Sequence, residues 1–344
     1  QEYTHGMPTT DYLTRPWHLP EYCHPTNWTA REMCRTIKRR DPTRPAFWYM
    51  SFNAPHPPLV PLRDYLDMYR EADIPEPHAG EWTKDLDKLP YPLKVRHNRW
   101  YALNRYPDGR VGLDNAELKL ARRSFYALCT HIDHQIRLVI GMLREEGLLD
   151  NTIIAFTSDH GDMLGNHGQF AKGLHYENSA KVPLIIMPTA DYAQLGHHQT
   201  DDRLVELRDI MPTLLDMAGI PIAESVEGIS LLSNTKRDYL YGEQNEGDTA
   251  TRMLRGRDHK LIYYPAGNCF QLFDLQDDPL ELKNLANDPD YAAVLDELTG
   301  HLVDNLYGDD LNWLKNGRLA GLPDMPFETK PNRGLTAQRG WRFI

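Results

Sequence analysis

Only four cysteines, Cys23, Cys34, Cys129 and Cys269, are scattered through 344 residues, and no two stand in C-x-x-C spacing. The spacing points to neither a zinc site nor a disulfide framework, and Cys129 falls on the apolar face of an expected helix, where it reads as core. Long apolar runs are also missing: stretches such as Leu184–Met187 are strand-sized, well short of the roughly 18 residues that a membrane-spanning helix needs. Basic charge is in deficit, with a formal net charge of −11, so the chain offers no general surface for nucleic-acid phosphates. An initiator Met and a signal peptide are lacking too, and the opening Gln1-Glu2-Tyr3-Thr4 does not resemble a natural N-terminus.

What remains is ordinary for a folded protein: 41% apolar and 25% charged residues, in a length that suits one large α/β domain and a smaller one. The informative stretch runs from Asn151 to Pro188. Ile153–Phe156 is a short apolar run bounded by polar residues, the pattern of a strand buried on both faces. Thr157, Ser158, Asp159, His160 and Gly161 follow it. In open α/β sheets ligands bind just beyond the carboxyl ends of the strands, so Asp159 and His160 stand where chemistry is done. Neighbours on a regular strand point to opposite faces, and both reach one ion only if the backbone turns, which Gly161 eases. A hard cation takes about six or more donors, so further ligands must come from elsewhere. Taken alone, the pair reads more readily as Asp159 capping its loop beside a hydrogen-bonded structural histidine.

Earlier in the chain, Thr26 begins an expected helix over 27–39, with a basic end, Lys38-Arg39-Arg40, suited to the helix dipole. Ala46–Phe52 reads as a buried strand ending in Asn53-Ala54-Pro55-His56-Pro57-Pro58. Prolines on both sides of His56 display its imidazole from a stiff loop; local sequence weighs a functional histidine and a plain turn equally. From Leu59 to Gly112 a long excursion carries short helices near Leu62–Tyr69 and Pro92–Tyr106. Its Trp82, Trp100, Tyr101 and Tyr106 suit loop anchoring better than substrate contact. Asp114 and Glu117 form a capping box for a helix to about Leu149, ended by Gly147, with an apolar stripe through Leu118, Ala121, Phe125, Leu128, Ile132, Ile136, Val139 and Leu143. His131, Asp133 and His134 on that helix are spread around the cylinder and read as surface or packing residues.

Downstream of the central stretch, Leu204–Gly219 reads as an amphipathic helix kinked at Pro212. A composition shift near 225–236 precedes alternating segments, Tyr239–Tyr241, Thr251–Leu254, Lys260–Tyr264 and Phe270–Leu275, with the turns of a small antiparallel sheet. A helix over about 290–306 follows. The tail, with Arg333, Arg339 and Arg342, reads as a surface strap.

The run Ser158-Asp159-His160-Gly161, then Leu164-Gly165-Asn166-His167-Gly168, then Lys172-Gly173 and Val182-Pro183-Leu184 resembles the type I sulfatases of the alkaline phosphatase superfamily. Ser51-Phe52 with Pro55-His56-Pro57-Pro58, Asp209-Ile210-Met211-Pro212-Thr213-Leu214-Leu215 and Leu272-Phe273-Asp274-Leu275 with Asp278-Pro279 extend the likeness from about residue 26 to 305. It implies an alkaline-phosphatase-like α/β fold: a central sheet flanked by helices, and a smaller C-terminal antiparallel sheet with a helix. The domains expected are a catalytic domain over 1–235, a subdomain over 236–310 and a tail over 311–344.

By the same resemblance Asp159 and His160 bind a divalent metal, usually Ca2+, with Mg2+ or Mn2+ as the other candidates. Lys172 contacts the sulfate group, and His56 binds the sulfate or assists the leaving oxygen. The implied reaction is hydrolysis of a small-molecule or carbohydrate sulfate ester by a metal-assisted formylglycine nucleophile. The family's C-x-P-x-R or S-x-P-x-R segment, the source of formylglycine, is absent from these residues, and the expectation is the C-terminal part of a longer enzyme that meets an N-terminal segment or peptide of the same protein. No nucleic acid or membrane partner is expected, and a homo-oligomer stays open. A phosphodiester or phosphonate monoester hydrolase of the same superfamily is the alternative chemistry, and a non-catalytic binding subunit with this fold is the alternative class.

Overall fold

The computed structural model describes residues 12–96, 113–189 and 199–327; Trp100, Tyr101, Tyr106, Arg333, Arg339 and Arg342 lie outside them. The chain divides into two compact units, one of residues 1–76, 104–154 and 187–191, the other of 77–103, 155–186 and 192–344.

The first unit is built on helices α1 (Pro25–Lys38), α2 (Arg63–Met68) and α3 (Asn115–Glu145). Helix α1 starts two residues earlier than its Thr26 cap predicts. His24 is the N-cap: its Nδ1 accepts the Thr26 amide at 3.2 Å, and Pro25 occupies the first turn, where a missing N–H costs nothing. The capping box of α3 forms as expected, Asp114 and Glu117 each accepting the other's backbone N–H, and Gly147 ends the helix at φ +67°. Ala30 and Ile37 of α1 pack against Val139 and Leu143 of α3, with Trp48 and Met50 at the edge.

The buried face of α3 is less apolar than its sequence stripe. Ser124, His131 and Gln135 are buried alongside Ala121 and Leu128. His131 stacks on Tyr65 at 4.7 Å and meets His24 edge-on at 4.8 Å. Burial first, then the neighbouring His24 and His134, pushes the His131 pKa down to about 3. Cys129 is exposed rather than core, because one step past Leu128 is 100° around the helix and off the stripe.

Two strand expectations need correction. Ala46–Phe52 forms no strand and pairs with none among the described residues; Phe47 and Tyr49 are about four-fifths exposed while Trp48 and Met50 are half-buried. It keeps the period of two without a ladder to complete it. Strand β1 (Ile154–Thr157) forms and pairs with β2 (Leu184–Met187), yet it is not buried on both faces: Phe156, Ile185 and Met187 are exposed. An apolar run sets the propensity for a strand, whereas burial needs a layer on each side.

The second unit continues through α4 (Glu177–Ala180) and α5 (Ile210–Met217). The expected kink at Pro212 is absent because α5 starts at Ile210, leaving the proline in its first turn. Asp209, fully buried, forms a two-point ion pair with Arg237 at 2.6 and 2.7 Å and accepts the Ile229 amide. Strands β3 (Leu240–Gln244), β4 (Thr251–Arg255), β5 (His259–Tyr264) and β6 (Cys269–Asp274) make an antiparallel meander close to the predicted segments. Helix α6 (Ala292–Asn305) lays Leu298 and Leu302 on Leu254, Leu261, Tyr263 and Leu272. A short hairpin, β7 (Leu314–Lys315) with β8 (Arg318–Leu319), follows. The expected α/β class with a C-terminal antiparallel sheet and helix is thus what the chain adopts.

On the other side of the meander, Ile262, Tyr264 and Phe273 form a core with Leu89, Leu93, Met163 and Tyr176. Trp82 stacks on Tyr176 at 5.1 Å and donates its Nε1–H to the Glu281 carbonyl, the anchoring role expected of it. A charged knot lies beside this core. The buried Lys260 ammonium donates to Glu281 at 2.9 Å and to the His175 carbonyl at 2.8 Å, and stands 2.6 Å from Glu177. Burial holds the Glu281 pKa up despite Lys260; at the more open Glu177 burial also raises it, but Lys260 and Arg255 outweigh that and the net shift is downward.

Candidate active site

Beyond β1 the chain bends so that two neighbouring side chains face one another: His160 Nε2 stands 3.3 Å from Asp159 Oδ2. The His160 amide donates to Asp159 Oδ1 at 3.0 Å, and Ser158 Oγ donates to the His160 carbonyl at 2.9 Å. His160 Nδ1 lies 2.8 Å from the Gly161 carbonyl, which leaves Nε2 as the ring nitrogen beside the carboxylate. A backbone carbonyl on the far ring nitrogen is the usual way a ligating histidine is oriented. The Asp159 side chain is 82% exposed. One carboxylate oxygen and one imidazole nitrogen therefore converge as two donors suited to a divalent cation. No group of three or more His, Cys, Asp or Glu able to hold a metal occurs among the described residues.

Gly161 serves this bend by its size. Its φ is not left-handed; a Cβ there would lie 2.1 Å from the Asn178 carbonyl oxygen, and its amide donates to the Ser179 carbonyl at 2.8 Å. The predicted role of Gly161, easing a turn, is replaced by close backbone approach. Ser179 Oγ also accepts the Leu174 amide at 3.4 Å, so both ends of the 161–174 loop attach to α4.

That loop carries Lys172, which is half-buried. It is wound with left-handed residues: Leu164 (φ +44°), Gly165, His167 (φ +53°), Gly168, Ala171 (φ +59°) and Gly173 (φ +81°). Three of these are not glycine, and each such residue costs about 1 kcal/mol or more unless its surroundings enforce it. The enforcement is visible. The His78 amide donates to Asn166 Oδ1, the His167 amide donates to the His78 carbonyl at 2.7 Å, and the Gly80 amide donates to His167 Nδ1 at 3.1 Å. Within the loop the Met163 amide donates to the Ala171 carbonyl, and the Gly165 amide to that of Gln169. His167 is buried, and burial, then His78, pushes its pKa down to about 4.

His56 belongs to the first unit, while Asp159, His160 and Lys172 belong to the second. It is half-buried in a turn closed by its own amide on the Asn53 carbonyl, with Nδ1 2.6 Å from the Pro57 carbonyl. The structure brings Asp159 and His160 into contact and fastens the Lys172 loop to the same short helix. Sequence reasoning missed the supports: His78, Gly80 and Arg96 come from the long excursion, where nothing local marks them. Asn166 and His167 lie inside the Leu164–Gly168 motif, and their motif membership was the available signal.

The chain matches two families: Sulfatase, over residues 1–220, and N-sulphoglucosamine sulphohydrolase, C-terminal, over residues 165–307. It is 39% identical over 321 residues to an arylsulfatase of Clostridium perfringens, covering 91% of this chain and 64% of that protein. It is 30% identical over 320 residues to a multifunctional alkaline phosphatase superfamily protein of Trinickia caryophylli, covering 85% and 60%. Among solved structures, a phosphonate monoester hydrolase of Agrobacterium radiobacter superposes with a TM-score of 0.72 at 24% identity, covering 92% of this chain and 68% of that one. The fold is that of the alkaline phosphatase superfamily. Within it, the chain belongs to the sulfatase family, as its motifs predict. That family implies a divalent metal and a formylglycine in general. The chain spans less than two thirds of the length of these two curated relatives.

Proposed function

We propose that the protein hydrolyses sulfate esters, with a small aryl sulfate or a sulfated carbohydrate as substrate. The observation that carries this reading is the Asp159–His160 pair, two metal donors 3.3 Å apart at the end of β1, in a chain of the sulfatase family. On this reading residues 1–235 carry the catalytic domain, 236–310 a subdomain and 311–344 a tail.

When bound, the metal and the formylglycine supply an activated oxygen nucleophile. Asp159 and His160 hold the divalent ion, with Ca2+ as the ion proposed; the imidazole nitrogen makes Mn2+ its competitor. Lys172 places a point charge against the non-bridging oxygens of the transferring sulfuryl group, where charge stabilisation has its largest effect. His56, whose Nδ1 lies 2.6 Å from the Pro57 carbonyl, binds the sulfate or assists the leaving oxygen.

Hydrolysis of a phosphonate monoester or phosphodiester is the second reading, since a phosphonate monoester hydrolase shares this fold. The full-length protein assayed on matched aryl sulfate, phenylphosphonate and aryl phosphodiester substrates, with and without chelator, separates the two. Chelator-sensitive turnover with the sulfate preferred supports the proposal. Preference for the phosphorus esters replaces it, and tight binding without turnover points to a binding protein.

A further inference from the structure

The Lys172 loop is held from outside by one more side chain. Arg96 lies on a helical stretch that includes 91–96, whose Leu93 and the neighbouring Leu89 are buried in the core with Met163 and Tyr176. Its guanidinium NH2 donates to the Phe170 carbonyl at 2.8 Å and also to the Lys172 carbonyl. Its NH1 lies 3.7 Å from where a Cβ of Gly173 would be, with the Gln244 carboxamide on the same spot at 3.8 Å. One planar group thus spans the turn 170–173, which contains the left-handed Ala171 and Gly173.

A left-handed alanine inside a short turn has extended alternatives that are lower in local energy. Without the two carbonyl contacts, the turn loses the restraint on either side of Ala171 that opposes such relaxation, which would carry the Lys172 Cα with it. A guanidinium suits the task better than an ammonium, because its plane fixes the directions of the two N–H groups on that one nitrogen, whereas an ammonium rotates. We propose that Arg96 is a positioning residue for Lys172: by bridging the carbonyls on either side of Ala171 it holds the lysine in the register that meets the transferring group. The inference rests on the role given to Lys172 above.

A double-mutant cycle on the full-length protein tests it, using Arg96→Ala, Lys172→Ala and the double variant with a chromogenic aryl sulfate. Misplacement by about 1 Å costs on the order of 10²-fold in rate, so Arg96→Ala should lower kcat/KM by about 10- to 100-fold, chiefly through kcat. In the Lys172→Ala background the same change should cost less than about two-fold, since residues acting as a unit are not additive. Arg96→Lys, whose ammonium lacks the fixed planar geometry, should fall between, and with Arg96→Gln it completes the cycle should the alanine variant fold poorly. Equal losses in both backgrounds, or an Arg96→Ala enzyme within about two-fold of the parent, overturn the inference and leave the Lys172 assignment standing. A Lys172→Ala enzyme with unchanged kcat/KM removes that assignment directly, and the positioning role with it.

Discussion

Gly161 and Asn178 touch backbone to backbone: a Cβ on Gly161 would stand 2.1 Å from the Asn178 carbonyl oxygen, and the Asn178 carbonyl carbon lies at 3.0 Å. The bend that turns Asp159 and His160 toward one another is pressed against helix α4, and it fits only while residue 161 has no side chain.

Gly161→Ala should therefore move the bend. The overlap is with backbone, which cannot rotate away, so we expect a loss of about 1–3 kcal/mol in stability, together with weakened divalent-metal binding. Thermal denaturation and calorimetric metal titration check the two effects. A variant with parental metal affinity would show that the bend tolerates the methyl group.

Asp159→Asn and His160→Gln each remove one donor from the pair. Loss even of an outer support of a metal ligand costs about 10- to 100-fold in affinity, so each substitution should weaken Ca2+ or Mn2+ binding by at least that factor while leaving the fold intact. Asp159 is mostly solvent-exposed and makes only local contacts. Metal content after dialysis, measured on the full-length protein, decides the matter; retention equal to the parent's would take both residues out of the metal site.

Lys172→Ala should lower kcat by about 10² to 10³ with the melting temperature nearly unchanged. Arginine in its place should rescue poorly, because a planar fork does not reproduce a compact charge. A kcat/KM near the parent's would detach Lys172 from the transferring group.

Three buried histidines should make the fold sensitive to acid. Burial lowers the pKa of His131 to about 3 and those of His167 and His175 to about 4, from an ordinary value of 6.5. Each is neutral in the folded protein and protonates more readily when unfolded. Their stabilisation is complete above pH 6.5 and falls as pH drops from there toward 4, with a slope of up to about 1.4 kcal/mol per pH unit for each residue. Urea titrations at pH 7.0, 5.5 and 4.5 measure it, and His131→Phe should flatten the slope by about one proton. An unchanged slope in that variant would mean that His131 does not contribute.

Arg252 and Asp310 form a buried two-point ion pair at 2.6 and 2.8 Å, with the guanidinium 5.0 Å from the centre of the Trp313 ring. Asp310→Ala leaves a buried cation with reduced compensation and should cost about 3–5 kcal/mol, read as a lower urea midpoint. A shift under about 1 kcal/mol would show that water or Glu246, 3.3 Å from the guanidinium, takes over.

Local patterns in the sequence were enough to locate elements whose causes are local. The Asp114–Glu117 capping box, the four strands of the meander and helix α6 rest on neighbours a few residues apart, and they formed where expected. Asp159 and His160 stood out by their place after an apolar run, but that place alone favoured a loop cap beside a structural histidine, and the metal role proposed for them came from the family resemblance. Burial was not legible, because it depends on what lies across from a residue: Phe156 and Tyr49 look like core and are exposed, while His131 and Lys260 look like surface and are buried. Gly161 was legible as important and misread as to cause. The clamps from His78, Gly80 and Arg96 join positions about 70 to 90 residues apart and leave no periodic trace.

The left-handed turns at Leu164, His167 and Ala171 narrow which replacements this loop can accept. Glycine or asparagine would sit more comfortably at all three, yet glycine would erase the buried Leu164 side chain and the His167 ring that receives the Gly80 amide. At Ala171 only a methyl group would be lost. Drift in this segment should therefore be lopsided, with position 171 free to become glycine or asparagine and positions 164 and 167 confined to side chains that can both fill their pockets and tolerate a reversed backbone.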